Sequence, residues 1–264
     1  FLTLKGEIQG LDQSYRVPQH AHYLAETLIK RVSKRRNKFW KPRPAEGRLL
    51  WHSDIEHIDM SQGEWLVLAR NNYLLNSVEN QCRLEGFFYK RSNRKGVSDS
   101  LLEAILDWEK LRKGESISAM QVRKIYRYMT SDRGVARSYK TLKSTFDEER
   151  LTLQDLLASY GLLTTAIWHE AFDKISDKEK QYLIACLRRG EKLTKTPRIH
   201  ISTIHGAKGS EADNVVVLTD IGQKSWLQMQ KEPDEEIRVF YVALTRVKQN
   251  LHIVQPATSR SFLI

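Results

Sequence analysis

The 264-residue sequence predicts an α/β protein in which a parallel sheet with helices on both faces is interrupted by an all-helical subdomain. Three observations predict it. Residues 1–97 and 197–264 alternate short apolar runs with amphipathic stretches, the texture of strand–helix units. Trp65-Leu-Val-Leu-Ala69 and Asn214-Val-Val-Val-Leu218 are nearly unbroken apolar runs, as expected of strands covered on both faces. Residues 98–196 instead repeat apolar side chains at helical spacing and lack β-rich runs.

Taken in order, residues 19–34 read as a helix with Leu24, Leu28 and Val32 four apart. Pro42 and Pro44 then break the chain before a strand around Leu49–His52. The strand at Trp65–Ala69 leads into a helix with Leu75, Val78 and Cys82 on one side. Phe87-Phe88-Tyr89 reads as the next strand. From 99 to 190, Gly114, Gly134, Gly161 and Gly190 punctuate four to six expected helices. Strands at Ile199–Thr203 and Asn214–Leu218, a helix near 234–247 and a strand at Leu251–Val254 complete the series. The expected domains are therefore 1–97 with 197–264, and the inserted 98–196.

Composition narrows the class. Thirteen glycines, six prolines and 24 aromatics exclude collagen and wholesale disorder. No apolar run approaches the ~18 residues of a membrane span, and the first residues lack a signal-peptide pattern. Cys82 and Cys186 cannot build a disulfide framework and read as buried thiols, suited to a reducing cytoplasm. That places the protein in the cytoplasm or on the nucleoid, or in the host cytoplasm if viral. Net charge is +11, and residues 1–97 hold most of the excess, with 17 basic and 10 acidic side chains. The run from Lys30 to Arg43 mixes basic residues with Phe39 and Trp40. Such a stretch suits a polyanion, although a solvated helix end would look the same.

Three segments carry candidate chemistry. In Thr203-Ile-His205-Gly206-Ala-Lys208-Gly209-Ser-Glu211 a strand ends in a polar, glycine-containing turn, where open α/β sheets bind ligands. Gly206 and Gly209 would let backbone approach a ligand, and Thr203, His205 and Lys208 would serve phosphates. An ordinary strand-to-strand loop is the alternative. In the helix ending Tyr241-Val-Ala-Leu-Thr245-Arg246, Phe240, Ala243, Leu244 and Val247 form an apolar stripe. Arg246 lies on another side, beside Val239 and Val242, where a semi-buried guanidinium needs an anion or a structural ion pair. In Leu11-Asp12-Gln13-Ser14-Tyr15-Arg16-Val17-Pro18 an aromatic beside an arginine suits base stacking and phosphate binding.

Together these segments resemble, in the same order, motifs of the UvrD/Rep-like superfamily 1 DNA helicases. Gln13-Ser-Tyr15-Arg16 is similar to Gln-Asn-Tyr-Arg, with Ser14 for Asn. Thr203 to Glu211 is similar to Thr-x-His-x-x-Lys-Gly-x-Glu, with Gly206 and Ser210 for commoner Ser and Leu. Tyr241 to Arg246 resembles Tyr-Val-(Ala/Gly)-x-Thr-Arg, and Arg70-Asn-Asn72 resembles a strand-end Arg-x-Asn. The resemblance covers 1–97 and 197–264, and 98–196 by position and helical texture. It implies a RecA-like second motor domain that binds ATP with Mg²⁺ between itself and a preceding N-terminal RecA-like domain. Tyr15, beside Gln13, would stack on adenine; Arg16 and Arg246 would reach the γ-phosphate; Glu211, beside Gly209, would accept from the ribose. Thr203, His205, Arg70 and Asn72 would contact single-stranded DNA, joined by Lys208. The Ala-Lys-Gly form favours the UvrD-like branch over RecD-like helicases, and with it 3′→5′ movement and unwinding of duplex DNA.

The sequence holds no Gly-x-x-x-x-Gly-Lys-(Ser/Thr) and no apolar strand ending in Asp-Glu. Asp147-Glu148-Glu149 and Asp234-Glu235-Glu236 sit in helical contexts. In the family these parts lie on the first motor domain, so the chain reads as half a motor, inactive as an ATPase alone. A non-catalytic module of the same fold that binds nucleic acid or a partner is the rival, and an AddA/RecB-like nuclease–helicase subunit a nearer one. No metal site is expected: His20/His22 and His52/His57 lack further ligands. Trp108, Trp168 and Tyr182 read as core of the insertion.

Overall fold

The computed structural model describes residues 12–36, 38–139 and 150–264. The Asp147-Glu148-Glu149 segment and Leu11 lie outside them. In chain order the elements are α1 (Gln19–Ile29), β1 (Arg48–His52), β2 (Trp65–Ala69), α2 (Leu75–Glu85), β3 (Tyr89–Arg91), β4 (Arg94–Lys95), α3 (Asp99–Arg112), β5 (Ile117–Ser118) and α4 (Ala119–Arg127). There follow β6 (Arg150–Leu151), α5 (Leu153–Ser159), α6 (Trp168–Ala171), α7 (Asp177–Arg188), β7 (Ile199–Thr203), β8 (Ala212–Leu218), α8 (Gln223–Lys231), α9 (Pro233–Leu244) and β9 (Val247–Val254). The chain divides into two compact units, one of residues 1–82, 89–93 and 197–264, the other of 83–88 and 94–196.

In the first unit the sheet runs β1-β9-β8-β2-β7-β3, every neighbouring pair parallel. This is the predicted RecA-like α/β arrangement. β2 sits inside it and all five of its residues are buried. Leu66 and Leu68 point to one face, where with Val215, Val217, Leu251 and Ile253 they meet Ala21, Ala25 and Leu28 of α1 and Phe240 and Ala243 of α9. Trp65, Val67 and Val216, on the opposite face by the strand alternation, are also buried. The unbroken apolar runs have this physical cause.

Several boundaries differ from expectation. α1 ends at Ile29 rather than near 34. Continuing it would place Lys30 over Lys34 and Arg31 over Arg35, like charges four apart on one helix face. The chain turns instead, and the Asp234 carboxylate takes the Ser33 N–H (2.9 Å), the Ser33 hydroxyl (2.7 Å) and the Lys34 N–H (3.1 Å). α9 stops at Leu244, and β9 begins at Val247, four residues before the expected strand. Phe87 and Phe88 are buried but precede β3, which spans Tyr89–Arg91.

The second unit holds helices α3 to α7, within the expected count, and also a two-residue antiparallel pairing of β5 with β6, so it is not wholly helical. Its core includes Trp108, Trp168 and Tyr182, as read from the sequence. The Trp108 indole donates to the Ala166 carbonyl (3.1 Å), and the Tyr182 hydroxyl to that of Phe87 (2.9 Å). Cys82 and Cys186 are buried and free of disulfides.

A candidate nucleotide and nucleic-acid site

The first motif is a tight turn fastened to a neighbouring loop. The Ser14 N–H donates to the Lys41 carbonyl (2.8 Å), and the Gln13 side-chain amide to the Pro42 carbonyl (2.9 Å). The Ser14 hydroxyl accepts the N–H groups of Arg16 (3.3 Å) and Val17 (3.1 Å). Asparagine closes the same kind of turn, so the departure from the family pattern at Ser14 keeps its geometry. Val17 is buried, which fixes the turn and aims Arg16 inward, while Tyr15 projects into solvent, 86 % exposed. Trp40 backs the turn. Its carbonyl is bonded to His22 Nε2 at 2.9 Å, and the two rings meet edge to face at 4.2 Å.

The second motif follows β7. The Thr203 hydroxyl accepts the Gly206 N–H (3.1 Å) and the Thr203 carbonyl that of Ala207 (3.0 Å). Ile204 and Ala207 turn into the core, while His205 and Lys208, three apart, face outward. Gly209 has φ +85°, a left-handed conformation that favours glycine. Gly206 has a different reason from the one read in the sequence: a Cβ there would stand 2.8 Å from the Ser202 hydroxyl and 3.1 Å from that of Thr203. Its small size accommodates the chain's own side chains.

At Glu211 the motifs meet. Arg16 Nη1 approaches one carboxylate oxygen at 3.2 Å and Lys248 Nζ the other at 3.0 Å. The Lys248 ammonium, then the Arg16 guanidinium, hold Glu211 below the usual carboxylate range. Arg246 follows the α9 C-terminus, and its Nε donates to the Val242 carbonyl at 3.0 Å, a cation on the negative end of the helix. No carboxylate pairs with it among the described residues, so the structural ion pair that was the alternative is not formed. Burial, and next the Arg16 charge, pull its pKa down.

Arg16 and Arg246 line one hollow of about 320 Å³ with Gln13, Lys38, Trp40 and Tyr241. Arg246 also lines a second, of about 330 Å³, with His205, Lys208 and Arg238. Arg16, which lines the first hollow alone of the two, has its Nε buried without a hydrogen-bond partner. Arg16 and Lys248 thus share one carboxylate, Glu211, and Arg246 stands beside them without one. Such a surplus beside a half-buried hollow suits a multiply charged anion.

Not every expected residue joins this constellation. Tyr15 does not line the hollow. Arg70 grips Glu236 with two nitrogens, Nε and Nη2, both at 2.7 Å, and Glu236 is only 3 % exposed. The Asn72 side-chain oxygen accepts from Arg91 at 2.9 Å. Between them Asn71, which the sequence reading passed over, receives the Gly222 N–H at 2.6 Å and ties the end of β2 to the start of α8. Lys38, Trp40, Thr245, Arg238 and Lys248 were also missed as site residues. Lys38 and Trp40 lie in the basic, aromatic stretch already singled out. Lys248 stands two residues after Arg246 at the strand start, a spacing that returns a side chain to the same face. Of the histidines, His52 and His252 bond to each other at 3.0 Å, and among the described residues no group of three or more metal-binding side chains gathers.

These features define a RecA-like α/β domain with a hollow lined by cations. Residues 184–257 match the family model of the UvrD-like helicase C-terminal domain, a match that supports the resemblance of this chain to the C-terminal half of UvrD/Rep-like superfamily 1 helicases. The match runs from α7 through β9 and contains the Thr203–Glu211 loop, Arg246 and Lys248. Domains of this family act on nucleic acid. No curated protein matches the chain. Among the described residues no helix is long and apolar enough to cross a membrane.

Proposed function

We propose that this chain is the second motor domain of an ATP-dependent DNA helicase that moves 3′→5′ on single-stranded DNA and unwinds duplex. It supplies cations to ATP whose phosphate loop and magnesium ligands belong to a preceding RecA-like domain. One observation carries the reading: Arg16 and Arg246 line one hollow, and Glu211, the carboxylate that pairs with Arg16, is already shared with Lys248. The buried, unpartnered Arg16 Nε fits a phosphate oxygen. Arg16 and Arg246 then act on the γ-phosphate as arginine fingers, stabilising charge on the transferring group. Gln13 and Tyr15 attend the base, and Glu211, seated by the Gly209 turn, the ribose. Tyr15, now in solvent, is free to close over an adenine.

His205 and Lys208 face outward from a loop that also carries Glu211, with Thr203 half-buried at its start, so one segment touches both DNA and nucleotide. Arg70 and Asn72 stand at the neighbouring strand end and complete the DNA contact, supported by Glu236 and Arg91. In the intact protein, Arg246→Ala lowers ATP turnover by roughly 10²-fold or more and leaves DNA binding largely in place. Steady-state ATPase and fluorescence-anisotropy measurements check this. Unchanged turnover would remove Arg246 from the phosphate and favour the non-catalytic binding module.

A further inference from the structure

Glu211 is held from two sides, and only one of its partners has another task. Arg16 Nη1 meets one carboxylate oxygen at 3.2 Å, and Lys248 Nζ meets the other at 3.0 Å. Arg16 lines the hollow beside Arg246; Lys248 does not line it. Lys248 is instead fixed at the start of β9, where its carbonyl accepts from the Arg43 guanidinium. If Arg16 swings toward a phosphate, a carboxylate with a single partner would be left without a counter-charge and free to rotate. With Lys248 in place it keeps one charge-assisted bond and its orientation.

We propose that Lys248 is a positioning residue for the nucleotide sugar: it holds the Glu211 carboxylate while Arg16 leaves that carboxylate for the phosphate. The proposal rests on the reading of the hollow as an ATP site. It adds that sugar recognition and release of Arg16 are one coupled event, with Lys248 the fixed partner of the exchange. Lys248 touches neither substrate nor phosphate and acts through Glu211.

The test compares ATP, 2′-deoxyATP and 3′-deoxyATP as substrates of the intact protein and of Lys248→Met, Lys248→Gln, Lys248→Arg and Glu211→Gln. Lys248→Met and Lys248→Gln are expected to raise KM for ATP roughly tenfold, more than they lower kcat. They should also erase most of the preference for ATP over the deoxy analogue that Glu211→Gln no longer distinguishes. Lys248→Arg should restore the preference. Adding Glu211→Gln to Lys248→Met should cost little more than either change alone, because both act at one point. With two replacements, one failing to fold leaves the readout intact. A preference lost in Glu211→Gln but kept in both Lys248→Met and Lys248→Gln would overturn the role of Lys248 and leave the ATP site standing. A preference unaffected even by Glu211→Gln would overturn the sugar reading and the role of Lys248 with it.

Discussion

Arg70 shows how a single side chain can carry a motif and still have its charge spent elsewhere. Its place at the end of β2 was legible, because an apolar run stops at an arginine. Its partner was not, since Glu236 lies 166 positions away. In the sequence Glu236 reads as one of three carboxylates suited to a helix start. The fold gives two of them separate tasks: Asp234 holds the turn after α1, and Glu236 sits buried under Arg70. Arg70→Ala leaves that carboxylate uncompensated, and a loss of about 3–5 kcal/mol in unfolding free energy is expected. Urea denaturation checks it; an unshifted midpoint would return Arg70 to a purely DNA-facing role. In DNA-binding assays on this variant the salt dependence has to be read beside the stability, since both change together.

At the scale of the element, the boundaries were less legible than the elements themselves. The period of Leu24, Leu28 and Val32 continues past Ile29, and Val32 is indeed buried, yet the backbone there is no longer helical. Periodicity reports which side chains face the core, whereas the end of α1 is decided by charge repulsion and by a carboxylate two hundred residues away. The three hydrogen bonds from Ser33 and Lys34 hold Asp234 below the usual carboxylate range. The clamp is therefore intact above the ordinary carboxylate pKa and weakens as pH falls through the lower folded value. Asp234→Ala is expected to speed hydrogen exchange at the Ser33 and Lys34 amides while leaving the α1 interior protected. Equal protection in variant and wild type would mean that something else turns the chain. The β5–β6 pairing escaped notice for a simpler reason: two residues per strand leave no period to read.

At the scale of the whole molecule, acid acts on the sheet. His252, in β9, bonds to His52 of β1 and stacks on it at 5.1 Å, with the Trp65 ring also 5.1 Å away and with His57 and Asp54 near His52. Burial, and then the His52 charge, bring His252 down to about 4 from 6.5. The unfolded chain takes up this proton at a higher pH than the folded one. Stability is thus full above 6.5 and falls as pH drops toward 4, by at most roughly 3 kcal/mol from this residue. His200 and His52 shift in the same direction. Denaturation between pH 7 and 4 should show this slope, and His252→Gln should flatten it; a slope unchanged in the variant would assign the acid sensitivity elsewhere. The strands and the helical block between them could be read from the sequence, but the strand order could not, because nothing local encodes which parallel strands become neighbours. That order has a consequence for synthesis. β1 pairs with β9, and β2 lies between β7 and β8, so these two strands, the first among the described residues, do not pair with each other. A nascent chain leaving the ribosome holds β1 and β2 without the strands they pair with until residues after 198 emerge, and carries the bare Trp65–Ala69 strand through the whole of the intervening block. This interval exposes the chain to aggregation and to chaperones.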